Sequence, residues 1–113
     1  MVKSHQMISF PSSIKVGSQD IYVRLVPGLS DLSDDEGSYD GRKQLISFDK
    51  DIIDKCDPYA LLLVWHELDH VIFEQHLLKS AEEEVIVNAF SHGQVQILRD
   101  NPKLKKWMDK CLK

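Results

Sequence analysis

Cysteine is nearly absent from this chain: Cys56 and Cys111 are the only two in 113 residues. They match no metal-binding spacing and outline no disulfide framework, so they read as small, partly buried residues, and the expected setting is a reducing cytoplasm. Also missing is any apolar run close to the ~18 to 20 residues of a membrane span, because His66-Glu67-Leu68-Asp69-His70 interrupts the best candidate. The first residues carry no secretory pattern. Positive charge is not in excess: 14 Lys and Arg face 18 Asp and Glu, a formal net charge of -4, which argues against general nucleic-acid binding. No internal repeat or low-complexity segment occurs. What these absences leave is one domain over residues 1–113, with 42% hydrophobic and 28% charged residues, ordinary for a soluble globular protein. That length supports a real core and no second lobe.

Charge is unevenly spread. Asp31, Asp34, Asp35, Glu36 and Asp40 form an acidic loop, and Lys103, Lys105, Lys106, Lys110 and Lys113 a basic tail. Runs of this kind are ordinarily solvated faces. The amino-terminal half reads as sheet. Ile14 to Val16 and Ile21 to Val26 are β-branched runs around a hairpin turn at Gly17-Ser18-Gln19-Asp20, and Pro27-Gly28 ends the second run. Glu36 to Tyr39 and Gln44 to Phe48 flank Asp40-Gly41-Arg42-Lys43, a second hairpin with Asp-Gly turn chemistry. Helices are predicted over 58–79 and 81–99, and Pro102 opens a shorter one. Its stripe of Leu104, Trp107, Met108 and Cys111 reads as a face docked on the core. The fold class is therefore α+β: a small, antiparallel-rich sheet, then a helix pair, then a short C-terminal helix.

The chemistry lies in His66-Glu67-Leu68-Asp69-His70, an HExxH pattern. Residues four apart on a helix are about 40° apart around the axis and one turn up, so both imidazoles reach one tetrahedral ion. Glu67 projects beside them, placed to take a proton from a zinc-bound water. Asp57 and Pro58 start the helix well, and apolar residues fill Tyr59 to Trp65. The plainer alternative is an amphipathic core helix whose histidines are satisfied by hydrogen bonds. Burying two histidines and a glutamate without a ligand is unfavourable, which weighs toward the metal. Asp69 adds a charge inside the motif and requires a partner of its own.

A catalytic zinc takes three protein ligands and leaves one position for water. His76 would complete H-x3-H-x5-H, but no glycine follows the second histidine; Phe73 stands there. The helix is expected to run on through Leu77 and Leu78, which turns His76 away as a surface residue. The better source is Ala81-Glu82-Glu83-Glu84. Ser80 and Glu83 form an S-x-x-E capping box, which occupies Glu83 and singles out Glu84, with Glu83 the fallback. Asn88, one turn on, shares its face and is placed to orient a ligand imidazole. The alternative is that all three glutamates simply favour a helix N-terminus.

With HELDH, a glutamate one helical hairpin downstream, Glu84-Val85-Ile86-Val87-Asn88-Ala89-Phe90, and a tail over residues 95–104, the chain resembles minigluzincins and ImmA/IrrE-type peptidases, above all small phage-encoded metallopeptidases. The likeness runs from about residue 14 onward. It departs at Asp69, and at Asn88, where larger gluzincins carry aspartate. The resemblance implies a zincin helix pair, Zn2+ on His66, His70 and Glu84, and Glu67 as general base. It also implies that the strand before the metal helix, Gln44 to Phe48, pairs with an extended substrate. Tyr39 and His92 are candidates to assist the oxyanion; His5 is assigned no role.

The function expected is a zinc-dependent peptidase acting on a protein or peptide, with no membrane partner, in the cytoplasm, or the host cytoplasm if the chain is phage-encoded. The alternative is a catalytically inactive, peptidase-like phage protein serving as a structural, assembly or host-interaction factor. An intact Glu67 favours the enzyme, since a structural zinc site has no use for it. Asp69 and the small size favour the alternative. The pattern specifies neither substrate nor oligomeric state.

Overall fold

Two hairpins start the chain, each closed by local chemistry. In the computed structural model, which describes residues 9–113 and so leaves His5 outside, β1 (Ser13–Val16) and β2 (Gln19–Val26) pair antiparallel. Gly17 turns the chain at φ 62, a backbone region glycine enters without strain. The second hairpin joins β3 (Gly37–Asp40) to β4 (Leu45–Asp49). Its turn is held by the Asp40 carboxylate, which accepts from the backbone of Arg42 at 3.0 Å and Lys43 at 3.3 Å. The positive φ falls on Gln44 rather than on Gly41, so the expected Asp-Gly turn is replaced by a side-chain-capped one.

The sheet has four strands in the order β1-β2-β4-β3, with β2 and β4 parallel and the other two pairs antiparallel. The expected antiparallel-rich α+β fold is present, but one placement differs. β4, the strand expected to face a substrate, is hydrogen-bonded to β2 on one side and β3 on the other. Its backbone is fully used, and the edge falls instead to β3. The reason is nonlocal: Val23 opposite Ile46 and Leu25 opposite Phe48 bring β4 against β2 and push β3 outward.

Two short helices were not anticipated, α1 (Leu29–Ser33) and α2 (Lys50–Lys55). Asp49, at the end of β4, caps α2 by accepting from the backbone of Asp51 and Ile52, and also binds Ser30 of α1. α3 (Pro58–Gln75) begins as expected, with Asp57 accepting from the Ala60 N–H at 2.9 Å and proline in the first turn. It stops short of the expected residue 79. Leu77 takes a left-handed backbone, φ 53, and the reversal seats Leu78, 1% exposed, in the core. Burying that side chain, at roughly 1.5–3 kcal/mol, offsets the strain of about 1–2 kcal/mol at Leu77 without any glycine.

A 3₁₀ turn over Leu78–Ser80 leads to α4 (Glu83–Asp100). The expected capping box is not formed: Glu82 is the N-cap, no side chain caps the helix, and Ser80 belongs to the preceding turn. α5 (Pro102–Cys111) docks as its stripe predicts, with Leu104, Trp107, Met108 and Cys111 all buried. Phe10 stacks edge-on against Trp107 and Phe48 at 4.8 Å and 5.6 Å between centroids, tying α5 to the sheet. Cys56 and Cys111, remote in sequence, have their sulfurs 3.1 Å apart. Among the described residues, no helix is long and apolar enough to cross a membrane.

Candidate metal centre

α3 carries the motif across the boundary between core and solvent. Val64, Leu68, Val71 and Ile72 face inward, which leaves His66 and His70 exposed on one side, and Glu67 lies between, 5% exposed. The two imidazoles converge: Nε2 to Nε2 is 3.2 Å, with the ring planes nearly perpendicular at 85°. Two ligands about 2.0–2.1 Å from a tetrahedral zinc stand about 3.3–3.4 Å apart, so the pair is spaced for one shared ion. The same separation suits an N–H···N hydrogen bond, with a proton where the ion would sit.

Both histidines and Glu67 line a cavity of about 620 Å³. Burial raises the Glu67 carboxyl above its ordinary value, Asp35 adds to the rise, and His70 and His66 oppose it. A carboxylate shifted this way is a stronger base than an exposed one. The backbone of β3 makes room for it: a Cβ on Gly37 would lie 3.2 Å from Glu67 Cγ and 3.4 Å from Oε2. Tyr39, two residues on, lines the same cavity from the strand edge. Its hydroxyl is raised by burial and by the charges of Glu74 and Asp40, so it stays protonated and able to donate.

Asp69 has the partner its position demanded. Gln94 on α4 donates to Asp69 Oδ1 at 3.0 Å, and a turn further along α3, Ile72 packs so tightly on Gly93 that a Cβ there would come within 2.9 Å. These contacts set the register between the two helices. They also separate Glu84 from the imidazoles: it lies nine residues before Gly93, roughly 13 Å along α4, on an exposed first turn, and does not line the cavity. Asn88 is likewise exposed. Among the described residues, no group of three or more His, Cys, Asp and Glu is positioned to hold a metal. The structure thus brings together His66, Glu67 and His70, and does not bring Glu84 to them.

His76 is exposed beside a neighbouring hollow, away from the pair, because α3 stops at Gln75 rather than because it continues. His92 is exposed and does not line the cavity, which leaves Tyr39 as the oxyanion candidate in place. Asp35, Glu74 and Lys79 also line the cavity, and sequence reasoning assigned none of them to the site, reading Asp35 only as part of a solvated acidic loop. Glu74 alone carried a usable signal, standing one turn beyond His70 on the same helix. Comparison with protein-family models, with curated proteins and with solved structures finds no match to this chain.

Proposed function

We propose that this chain is a zinc-dependent peptidase of the HExxH type, with α3 and α4 as a gluzincin-like helix pair, at work in a reducing cytoplasm. The observation that carries the reading is the 3.2 Å convergence of His66 and His70 with Glu67 buried beside them in one cavity. His66 and His70 would hold the ion beside the cavity they line. When bound, zinc acidifies a water and polarises the scissile carbonyl. Glu67 accepts the proton of that water and delivers it to the leaving amine, work for which a raised carboxyl pKa is suited. Tyr39 donates its hydroxyl proton as a hydrogen bond to the developing oxyanion. The free edge of β3 aligns an extended peptide across the site by adding it as a strand.

One observation favours a second reading. No third ligand stands with the histidines among the described residues, as suits a peptidase-like protein that keeps the fold and binds a partner, such as a phage assembly or host-interaction factor. The two readings separate in one experiment. Metal analysis of protein purified without chelator should find about one zinc per chain, lost in His66→Ala and in His70→Ala. Glu67→Gln should retain the zinc and lower peptide cleavage by roughly 10² to 10⁴. A wild type without metal above background rejects the site. A metal-loaded wild type no more active than Glu67→Gln gives the ground to the partner-binding reading.

A further inference from the structure

The cavity beneath the histidines does not end there. Tyr39 and Glu74 also line a hollow of about 450 Å³ bounded by Gly41, Gln44, Gln75 and His76. On the other side, His66 is shared with a hollow of about 340 Å³ lined by Glu36, Tyr59, Leu62 and Leu63. The shared residues make one groove along α3. β3 runs beside it in the same direction: Gly37 is against Leu63 and Glu67, and a Cβ on Gly41 would overlap the Glu74 carboxylate. A peptide added to the outer edge of β3 would therefore lie lengthwise over α3, with its central bond above the two imidazoles.

The two ends of that groove differ in chemistry. One turn before His66, Leu62 is 68% exposed, and Tyr59 next to it is 53% exposed with its hydroxyl donating to Glu36. One turn after His70 stands Glu74, whose carboxylate has neither a hydrogen bond nor an ion pair among the described residues. Among the residues lining the 450 Å³ hollow at that end, Glu74 is the only carboxylate and none is a lysine or arginine. Leu62 and Glu74 each stand six residues from the midpoint of His66 and His70, roughly 9 Å along the helix, and an extended peptide advances about 3.3 Å per residue, so each end faces a side chain roughly three residues from the central bond.

Resting on the peptidase reading above, we propose that this groove selects its substrate. It takes an extended peptide with a lysine or arginine about three residues to one side of the scissile bond, set against Glu74, and an apolar side chain at the matching place on the other, set against Tyr59 and Leu62. Glu74 is then the specificity-determining residue, and it acts by charge rather than by touching the reacting atoms.

The test uses a peptide library prepared by Glu-specific digestion of a bacterial proteome, so that Lys and Arg remain internal. After incubation with zinc-loaded wild type, the cleaved bonds are read by mass spectrometry. Sites should be enriched two- to fivefold for Lys or Arg at the Glu74 position, the effect of one solvent-accessible ion pair. Leu, Phe, Tyr or Val should be enriched at the other. Glu74→Gln should abolish the basic preference, and Glu74→Lys should turn it toward Asp, which Glu-specific digestion leaves internal. Enrichment that is absent, or unchanged in both variants, overturns the proposal. A second arm separates its failure from failure of the enzyme reading: the same library is captured on immobilised Glu67→Gln protein and the bound peptides are sequenced. Basic enrichment there, lost on adding Glu74→Gln, sustains the groove even without cleavage, and no enrichment rejects it.

Discussion

Asp49 is a polar residue whose loss the fold should feel. It is 4% exposed, yet its carboxylate accepts from the Ser30 N–H at 3.0 Å, the Ser30 hydroxyl, the Asp51 N–H at 2.9 Å and the Ile52 N–H at 3.4 Å. It thereby ties the end of β4 to α1 and caps α2. Asp49→Ala removes an N-cap, about 1 kcal/mol, and leaves Ser30 without its charge-assisted bonds, for a total of about 2–4 kcal/mol. In a chain of this size each kcal/mol is worth roughly 4 °C, so Tm at pH 7 should fall by about 8–16 °C. Asp49→Asn keeps a capping acceptor and should lose about half as much. The sign with pH follows from the carboxyl being lowered, chiefly by the Ser30 hydroxyl and then by the Ser30 N–H. A carboxyl with a lowered folded pKa stabilises fully above its unfolded value, about 3.9, and loses that contribution as pH falls through the folded value. The gap between wild type and Asp49→Asn should therefore be widest at neutral pH and close in acid. Thermal melts followed by circular dichroism from pH 7 down to pH 2.5 measure both. A melt of Asp49→Ala within 1–2 °C of wild type, or a gap that does not narrow in acid, refutes the reasoning.

With the α3–α4 register observed, Glu84→Gln and Glu83→Gln should each retain the metal content of wild type. Zinc lost in Glu84→Gln alone would return the ligand role to α4 as the sequence suggested. The Cys111 thiol is pushed up to about 12, first by burial and then by its contact with Cys56, and the thiolate is the reactive form. Iodoacetamide at pH 8 should therefore label partly exposed Cys56 well before Cys111, and peptide mapping that found equal rates would contradict the packing at this contact.

Where the sequence was legible, the controlling interactions were local. Asp57-Pro58 announces the start of α3, β-branched runs around Gly17 announce the first hairpin, and the i, i+3, i+4 spacing of Leu104, Trp107, Met108 and Cys111 announces the buried face of α5. The His66 and His70 pair belongs to this class, because a four-residue spacing on a helix dictates convergence whatever surrounds it. Where legibility failed, a distant gain overruled a local preference. Nothing near Leu77 forbids the helix from continuing; the pull comes from the core that receives Leu78. Ser80-x-x-Glu83 has the letters of a capping box, but the early stop of α3 takes Ser80 into a 3₁₀ turn and starts α4 two residues late for that cap.

The strand order has the largest consequence for the site. The resemblance implies that the strand before the motif helix, β4, lies along the cleft. Parallel pairing with β2, invisible to local pattern, places β4 inside the sheet and leaves β3 at the rim. That exchange joins features the sequence kept apart. Gly37, which accommodates Glu67, and Tyr39, which lines the cavity, lie two residues apart on a strand with one open edge, alongside the helix that presents the histidines. On the peptidase reading proposed above, an extended chain paired with that edge would pass Glu67 and Tyr39 together, so alignment of a peptide and the geometry for attacking its backbone would depend on the same four residues of β3, Gly37–Asp40.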